Sequence, residues 1–391
     1  MNVFIDRLEQ LFEEMVTLRR YLHEWPELSH EEVKTPLFIA NYLRDLGLDV
    51  REGVGERGVV ATLKGALPGM TIALRADFDA LAIQELNEVP YKSKVDGVMH
   101  ACGHDGHTAA LLIVAKMFSE LREHVKGTVV FIFQHAEELA PGGAKAMIED
   151  GCLDGVDVIY GAHLWSPSPV GEISTCTGAI MAAADRFEII IEGKGGHGAQ
   201  PHDAIDPIVA ASQFIVQLQS IVSRNIDPLK SAVVSIGHLQ ASNPFNVIAQ
   251  QVELKGTVRT FDQQERMFIQ ERIEQLLKGV SIASGTTYSY RYVEGYPPVI
   301  NDANEATFIL QIAEEINQTK QALEIAPMMI GEDFAYYLQH VPGAFYLVGA
   351  MPTSGKHYPH HHPMFDFEES AMLHSAKVMV QAVMQKNKFK K

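Results

Sequence analysis

The 391-residue sequence predicts an α/β protein: a mostly parallel sheet covered by helices, with a smaller α+β layer of ferredoxin-like order inserted into it. Three observations carry this expectation. The run Thr128-Val129-Val130-Phe131-Ile132-Phe133 is apolar without alternation, as in a strand buried on both faces. Strand and helix patterns alternate on either side of it, and polar clusters stand just past the strand ends. Beyond Cys176-Thr177-Gly178-Ala179 the pattern changes to strand, helix, two strands, helix, strand, the split βαβ order.

In chain order, Phe4, Leu8, Leu11, Phe12, Met15, Leu18 and Leu22 recur at helical spacing over 3–24, and Pro26 stops that helix. A helix over 32–46 closes at Gly47. Strands are expected at 59–63 and 71–75, joined by a turn over 65–69, with Asp77 and Asp79 at the carboxyl end of the second. A helix over 108–121 precedes the buried strand, which runs into Gln134-His135-Ala136-Glu137-Glu138. A helix over 143–150 and a strand over 156–162 follow, the latter ending in His163. The inserted layer takes a strand at 185–192, a helix at 206–222, strands at 231–239 and 250–261, a helix at 263–284 and a strand at 286–294. The rest returns to a helix-rich pattern: helices at 303–317, 332–339 and 368–385, and a strand at 344–348. The expected division is 1–183 and 297–391 for the large domain and 184–296 for the insert.

Composition narrows the classes. With 47% hydrophobic and 21% charged residues, the chain is globular and not disordered. Its 32 basic residues against 49 acidic ones give a formal charge of −17, which argues against a nucleic-acid partner. No apolar run reaches the ~18 residues of a membrane span, and the acidic, helical N-terminus is not a secretory signal. Cys102, Cys152 and Cys176 are too few and too irregularly spaced for a disulfide framework, so a cytoplasmic setting is expected. The basic tail 386–391 reads as a frayed helix end.

The chemistry concentrates in His100-Ala101-Cys102-Gly103-His104-Asp105-Gly106-His107. Taken alone the stretch could be a polar surface loop, and its Cys-x-His pair is a weak metal signal. Glu137-Glu138 is stronger, because two carboxylates at a buried strand end cannot both be charged cheaply without a cation. His163 ends the next strand. The tract Tyr358-Pro359-His360-His361-His362-Pro363 is fenced by prolines and reads as a fixed site, the alternative being a solvated histidine tract. One thiol, one carboxylate and three imidazoles exceed what one tetrahedral ion needs, and a second glutamate is left over as a general base, so two metals are expected. Gly193, Gly195 and Gly198 spell G-x-G-x-x-G, but the loop 199–203 separates them from the next helix, against a dinucleotide site.

These motifs resemble, in order, the di-metal amidohydrolase and metallopeptidase family of aminoacylase, hippurate hydrolase and indole-acetyl-amino-acid hydrolase, nearest its bacterial N-acyl-L-amino acid amidohydrolases. The resemblance runs from His23-Glu24-Trp25-Pro26-Glu27-Leu28 through Arg75-Ala76-Asp77-Phe78-Asp79, the Cys102 stretch, Ala136-Glu137-Glu138, Gly195-Gly196-His197, Gly256-Thr257-Val258-Arg259, Gly331-Glu332-Asp333-Phe334 and His361-His362-Pro363. It implies hydrolysis of an N-acyl amino acid, with two divalent ions (Zn, Mn, Co or Ni) held by Cys102, His104, Glu138, His163 and His361, and Cys102 as the bridge. His362 competes with His361; the family's ligand stands two residues before the proline. Glu137 would be the base, Asp77 would orient a ligand, and Asp105 and His107 would support the loop. His197 would reach the scissile region, and Asn246 and Arg259 would grip the substrate carboxylate; an exposed strand charge is the other reading of Arg259. The insert would be a lid and dimerisation domain, in a homodimer or higher oligomer. A dipeptidase or another N-deacylase is the alternative activity, and a non-catalytic metal-binding protein the rival class. Glu137 beside Glu138 argues against the latter.

Overall fold

The computed structural model describes residues 2–316, 320–353 and 357–387. The chain divides into two compact units: Met1–Ile180 with Ile300–Pro327 and Asp333–Lys391, and Met181–Val299 with Met328–Glu332. The short piece 328–332 joins the second unit because the Ala182 N–H donates to the carbonyls of Met328 and Ile330, at 3.1 and 2.9 Å. Sequence pattern alone assigns that piece to the large domain.

The first unit is built on an eight-stranded sheet. Its central strands, Lys126–Gln134, Leu67–Asp77, Val158–Trp165 and Gly343–Gly349, lie side by side and parallel. Antiparallel partners Asp49–Val54 and Gly58–Lys64 close one edge. Glu172–Thr175, antiparallel to Gly343–Gly349, and Gln321–Glu324 close the other. The helices His104–Glu120 and Ser370–Lys386 are buried over most of their length, which is why their sequences are apolar nearly all round.

Three differences from the expected elements bear on the site. The strand before Asp77 begins at Leu67, because Leu67 already pairs with Lys126, so 67–69 is not turn. His163 lies inside its strand. The helix after the Cys102 stretch begins at His104: Gly103, at φ 98°, provides a left-handed entry, and His104 to His107 form the first turn. Gly106 lets that turn sit close against the sheet, since a Cβ there would stand 2.6 Å from Leu164 Cδ1. Elsewhere the opening helix is broken at Leu11 into Asn2–Gln10 and Phe12–Glu24, and the helix expected over 332–339 shrinks to Ala335–Leu338. Of the expected helix end at 317 and the tail, Asn317 and 388–391 lie outside the described residues.

The second unit is a four-stranded antiparallel sheet in the order Ala232–Gln240, Gln251–Thr260, Ala183–Glu192, Thr287–Val293, the ferredoxin-like arrangement. Its helices Pro207–Ser220 and Gln263–Ser284 start on Asp206 and Asp262, whose side chains accept first-turn N–H groups. Phe187, Ile189, Ile191, Phe214, Leu254 and Ile273 form its core. Among the described residues no helix is long and apolar enough to cross a membrane.

Candidate metal centre and active site

The carboxyl ends of the parallel strands bring together Cys102, His104, Glu137, Glu138, His163 and His361, all in the first unit. His163 Nε2 lies 3.3 Å from Cys102 Sγ. Glu138 Oε1 lies 3.3 Å from His361 Nε2 and 3.8 Å from His104 Nε2, and Glu137 Oε2 is 3.9 Å from the same His104 nitrogen. Cys102, Glu138 and His361 form one potential donor group, His104, Glu137 and Glu138 another. His361 is set by a left-handed residue, at φ 66°, and its N–H donates to the Ala101 carbonyl at 2.8 Å, tying the histidine tract to the Cys102 stretch.

Hydrogen bonds on the far sides of the rings decide which nitrogens face the cluster. His163 Nδ1 donates to the Leu164 carbonyl at 2.8 Å, which leaves Nε2 as a lone pair toward Cys102. His104 Nδ1 stands 3.0 Å from the Asp79 carbonyl and 3.1 Å from Asp79 Oδ1, while its buried Nε2 has no hydrogen-bond partner. A carboxylate behind a histidine of this kind is what metal-ligating imidazoles use. Asp79, to which sequence reasoning gave no separate role, therefore stands behind His104. Asp77 holds His107 instead, at 2.6 Å, and takes Arg75 Nη1 at 2.6 Å on its other oxygen. The second nitrogen of His107 accepts the Leu164 N–H at 2.9 Å, so both its nitrogens are engaged. The signal for Asp79 was present in the Asp-Phe-Asp spacing; its partner His104, 25 residues away, was not.

In the histidine tract, His361 faces Glu138. His362 stacks on Tyr358, with centroids 4.6 Å apart, and its Nδ1 accepts the Met364 N–H at 3.0 Å. His360 stacks on Trp165 at 4.8 Å and takes the Ser166 N–H on Nε2 at 3.3 Å, although it also lies in a group with Cys102 and His163.

The electrostatics call for a cation. Burial, then Glu138, Glu137 and Asp77, push the Cys102 thiol well above its usual range. Burial opposes the charged form of His104, but Asp77 and Asp79 outweigh it and raise the ring to about 10. The donor set of one thiol, two carboxylates and imidazole lone pairs fits two divalent ions, which would supply the missing positive charge. Because Cys102 must lose its proton to ligate, metal binding is expected to release protons and to weaken as pH falls. Titrating metal-free protein with cobalt(II) should also produce a thiolate-to-metal absorption band that Cys102→Ser abolishes. An unchanged band in that variant would remove Cys102 from the site.

The three other predicted residues lie in the second unit. His197 is exposed on a two-residue ladder with Val247, and its Nδ1 accepts the Ala199 N–H at 3.1 Å. Asn246 adjoins it, its carbonyl accepting the Gly198 N–H at 2.8 Å. Arg259 is half-buried, not a free strand charge: its Nη1 donates to the Val258 carbonyl at 3.0 Å and to Thr257 Oγ1. The glycine-rich segment leads into the short turn Pro201–Asp203, and the next helix starts only at Pro207.

Known proteins resemble this chain over most of its length. An N-acyl-L-amino acid amidohydrolase of Geobacillus stearothermophilus is 48% identical over 294 residues, covering 75% of this chain and 80% of the relative. An N-acetyl-L-cysteine deacetylase of Bacillus subtilis is 43% identical over 366 residues, covering 94% and 86%. The crystal structure of the Bacillus subtilis protein YXEP, described as a dinuclear metal binding peptidase, superimposes with a TM-score of 0.85 at 37% identity, covering 98% of this chain and 100% of that one. The family model described as peptidase family M20/M25/M40 matches residues 73–385, and to that family the chain belongs.

Proposed function

We propose that this chain hydrolyses the amide bond of N-acyl amino acids, releasing a carboxylate and a free amino acid. The observation that carries the reading is the pairing of Glu137 with Glu138 beside a thiol and imidazoles whose lone pairs are freed by hydrogen bonds behind them. Relatives named for N-acyl amino acid and N-acetyl-L-cysteine hydrolysis support the substrate class.

Cys102, His104, Glu138, His163 and His361 would hold two divalent ions of the zinc, manganese, cobalt or nickel type, whose bound charge would supply polarisation of the amide carbonyl and acidification of water. Glu138 serves as ligand, which leaves Glu137 to accept the proton of the attacking water and pass it to the departing nitrogen. Water thus adds to the acyl carbon, the C–N bond breaks, and the amine leaves protonated. His197 steadies the developing oxyanion, and Asn246 and Arg259 hold the substrate carboxylate, for which a guanidinium fork is suited. We further read the second unit (184–296 by sequence pattern) as lid and dimerisation domain of a cytoplasmic homodimer or larger oligomer; the cysteine pattern supports the setting.

The test is a hydrolysis screen of metal-loaded protein over N-acetyl amino acids, hippurate and dipeptides, reading free amine. N-acyl amino acids are expected to exceed dipeptides by at least about tenfold in kcat/KM, roughly 1.4 kcal/mol of transition-state discrimination. The reverse order would make the protein a dipeptidase using the same site.

A further inference from the structure

The chain turns sharply between the buried strand Lys126–Gln134 and the carboxylate pair. Ala136, fully buried, sits at φ 53°, in the left-handed region that a residue with a Cβ enters only under constraint. Two hydrogen bonds hold the turn. The Glu138 N–H donates to Asp79 Oδ2 at 3.0 Å, and the Ala136 N–H donates to Glu32 Oε1 at 2.9 Å.

Glu32 arrives from just before the helix Lys34–Asp45, more than 100 residues away. It is 1% exposed. Its carbonyl accepts Arg57 Nη1 at 2.8 Å, Arg57 Nε stands 4.0 Å from Oε2, and that oxygen makes no hydrogen bond. A buried carboxyl that reaches a strained main-chain N–H 104 residues further along the chain has a bonding role there that packing alone does not explain. Burial pushes the carboxyl up to about 8, so near neutral pH a glutamine matches it in charge as well as shape.

We propose that Glu32 is a positioning residue for the hydrolytic centre: by accepting the Ala136 N–H it holds the left-handed turn that aims Glu137 and Glu138. The inference rests on the reading of Glu137 as base and Glu138 as ligand.

The experiment compares Glu32→Gln, Glu32→Ala, Ala136→Gly and the double variant Glu32→Ala/Ala136→Gly. Each is followed by kcat and KM for an N-acetyl amino acid and by zinc titration of the metal-free protein. Glu32→Ala is expected to lose about 10²-fold in kcat with KM little changed, the usual effect of a small misalignment of a reacting group. Its zinc affinity should fall about tenfold, as when a supporting contact to a ligand is removed. Glu32→Gln keeps an acceptor oxygen and should stay close to the parent. Glycine enters the left-handed region freely, so Ala136→Gly should restore much of what Glu32→Ala loses, in turnover and in zinc affinity alike. A role confined to filling the core would not be rescued in this way. If Glu32→Ala cannot be purified folded, the double variant must be the one that folds. The inference is overturned by a Glu32→Ala protein with parental kcat and zinc affinity, by a double variant no better than the single, or by one that also fails to fold. The zinc titration and its rescue require no turnover, so the inference can fail or stand independently of the base assignment, which Glu137→Gln decides.

Discussion

Glu137→Gln is expected to lower kcat by about 10³-fold, the middle of the range for losing a positioned general base. Bound metal and thermal midpoint should stay near those of the parent. The physical case lies in what the substitution keeps. Glu137 is 7% exposed, so shape at this position matters, and glutamine has nearly the same volume and an acceptor oxygen. It cannot take a proton. Glu138→Gln should behave differently, because Glu138 Oε1 lies between His361 and His104 and would be a direct ligand. That variant should lose metal along with activity. Metal analysis of both proteins, beside release of amine from an N-acetyl amino acid, separates the two roles. Turnover by Glu137→Gln at a third or more of the parental rate would remove Glu137 as the base.

The same carboxylate pair shows what a linear sequence can and cannot disclose. The apolar run before it forces a strand buried on both faces, so two acids at its end stand out as groups that need a cation. Periodicity of this kind also marks the long helices and the ferredoxin-like order. It fails for Glu172–Thr175 and Gln321–Glu324, four residues each, which are too short to establish a pattern and pair only because the sheet edge is there. Within the Cys102 stretch, three imidazoles look equivalent on paper. Asp79 behind His104, and Asp77 with the Leu164 N–H around His107, make one ring face the cluster and occupy both nitrogens of the other. His100 is buried with an unpartnered Nδ1, and burial lowers it to about 4. Glu32 carries no sequence signal at all, because the strained N–H it serves exists only in the folded chain.

Arg19→Met should destabilise the metal-free protein by about 3–5 kcal/mol, the cost of stranding a buried charge. Arg19 is wholly buried, and its guanidinium reaches both segments that carry proposed ligands. Nε donates to Asp105 Oδ2 at 2.8 Å, next to His104; Nη2 donates to Asp366 at 2.9 Å and Nη1 to Glu369 at 3.2 Å, just beyond the histidine tract. The guanidinium carbon lies over the rings of Tyr91 and Phe367, 4.6 and 4.4 Å from their centroids. Methionine fills similar space and keeps the apolar contacts, so the loss measures charge more than volume. Asp366 and Glu369 retain some solvent and can rehydrate, whereas Asp105 has none and keeps only the 2.8 Å contact with His23 Nδ1. The penalty therefore falls on Asp105, and adding Asp105→Asn to Arg19→Met should recover part of the stability by removing the stranded charge. Urea unfolding must be done without metal, because a bound ion adds its own stabilisation to the folded state. A loss below about 1 kcal/mol, within the range of an exposed ion pair, would mean that the pocket admits water and that Asp105 is solvated without its arginine.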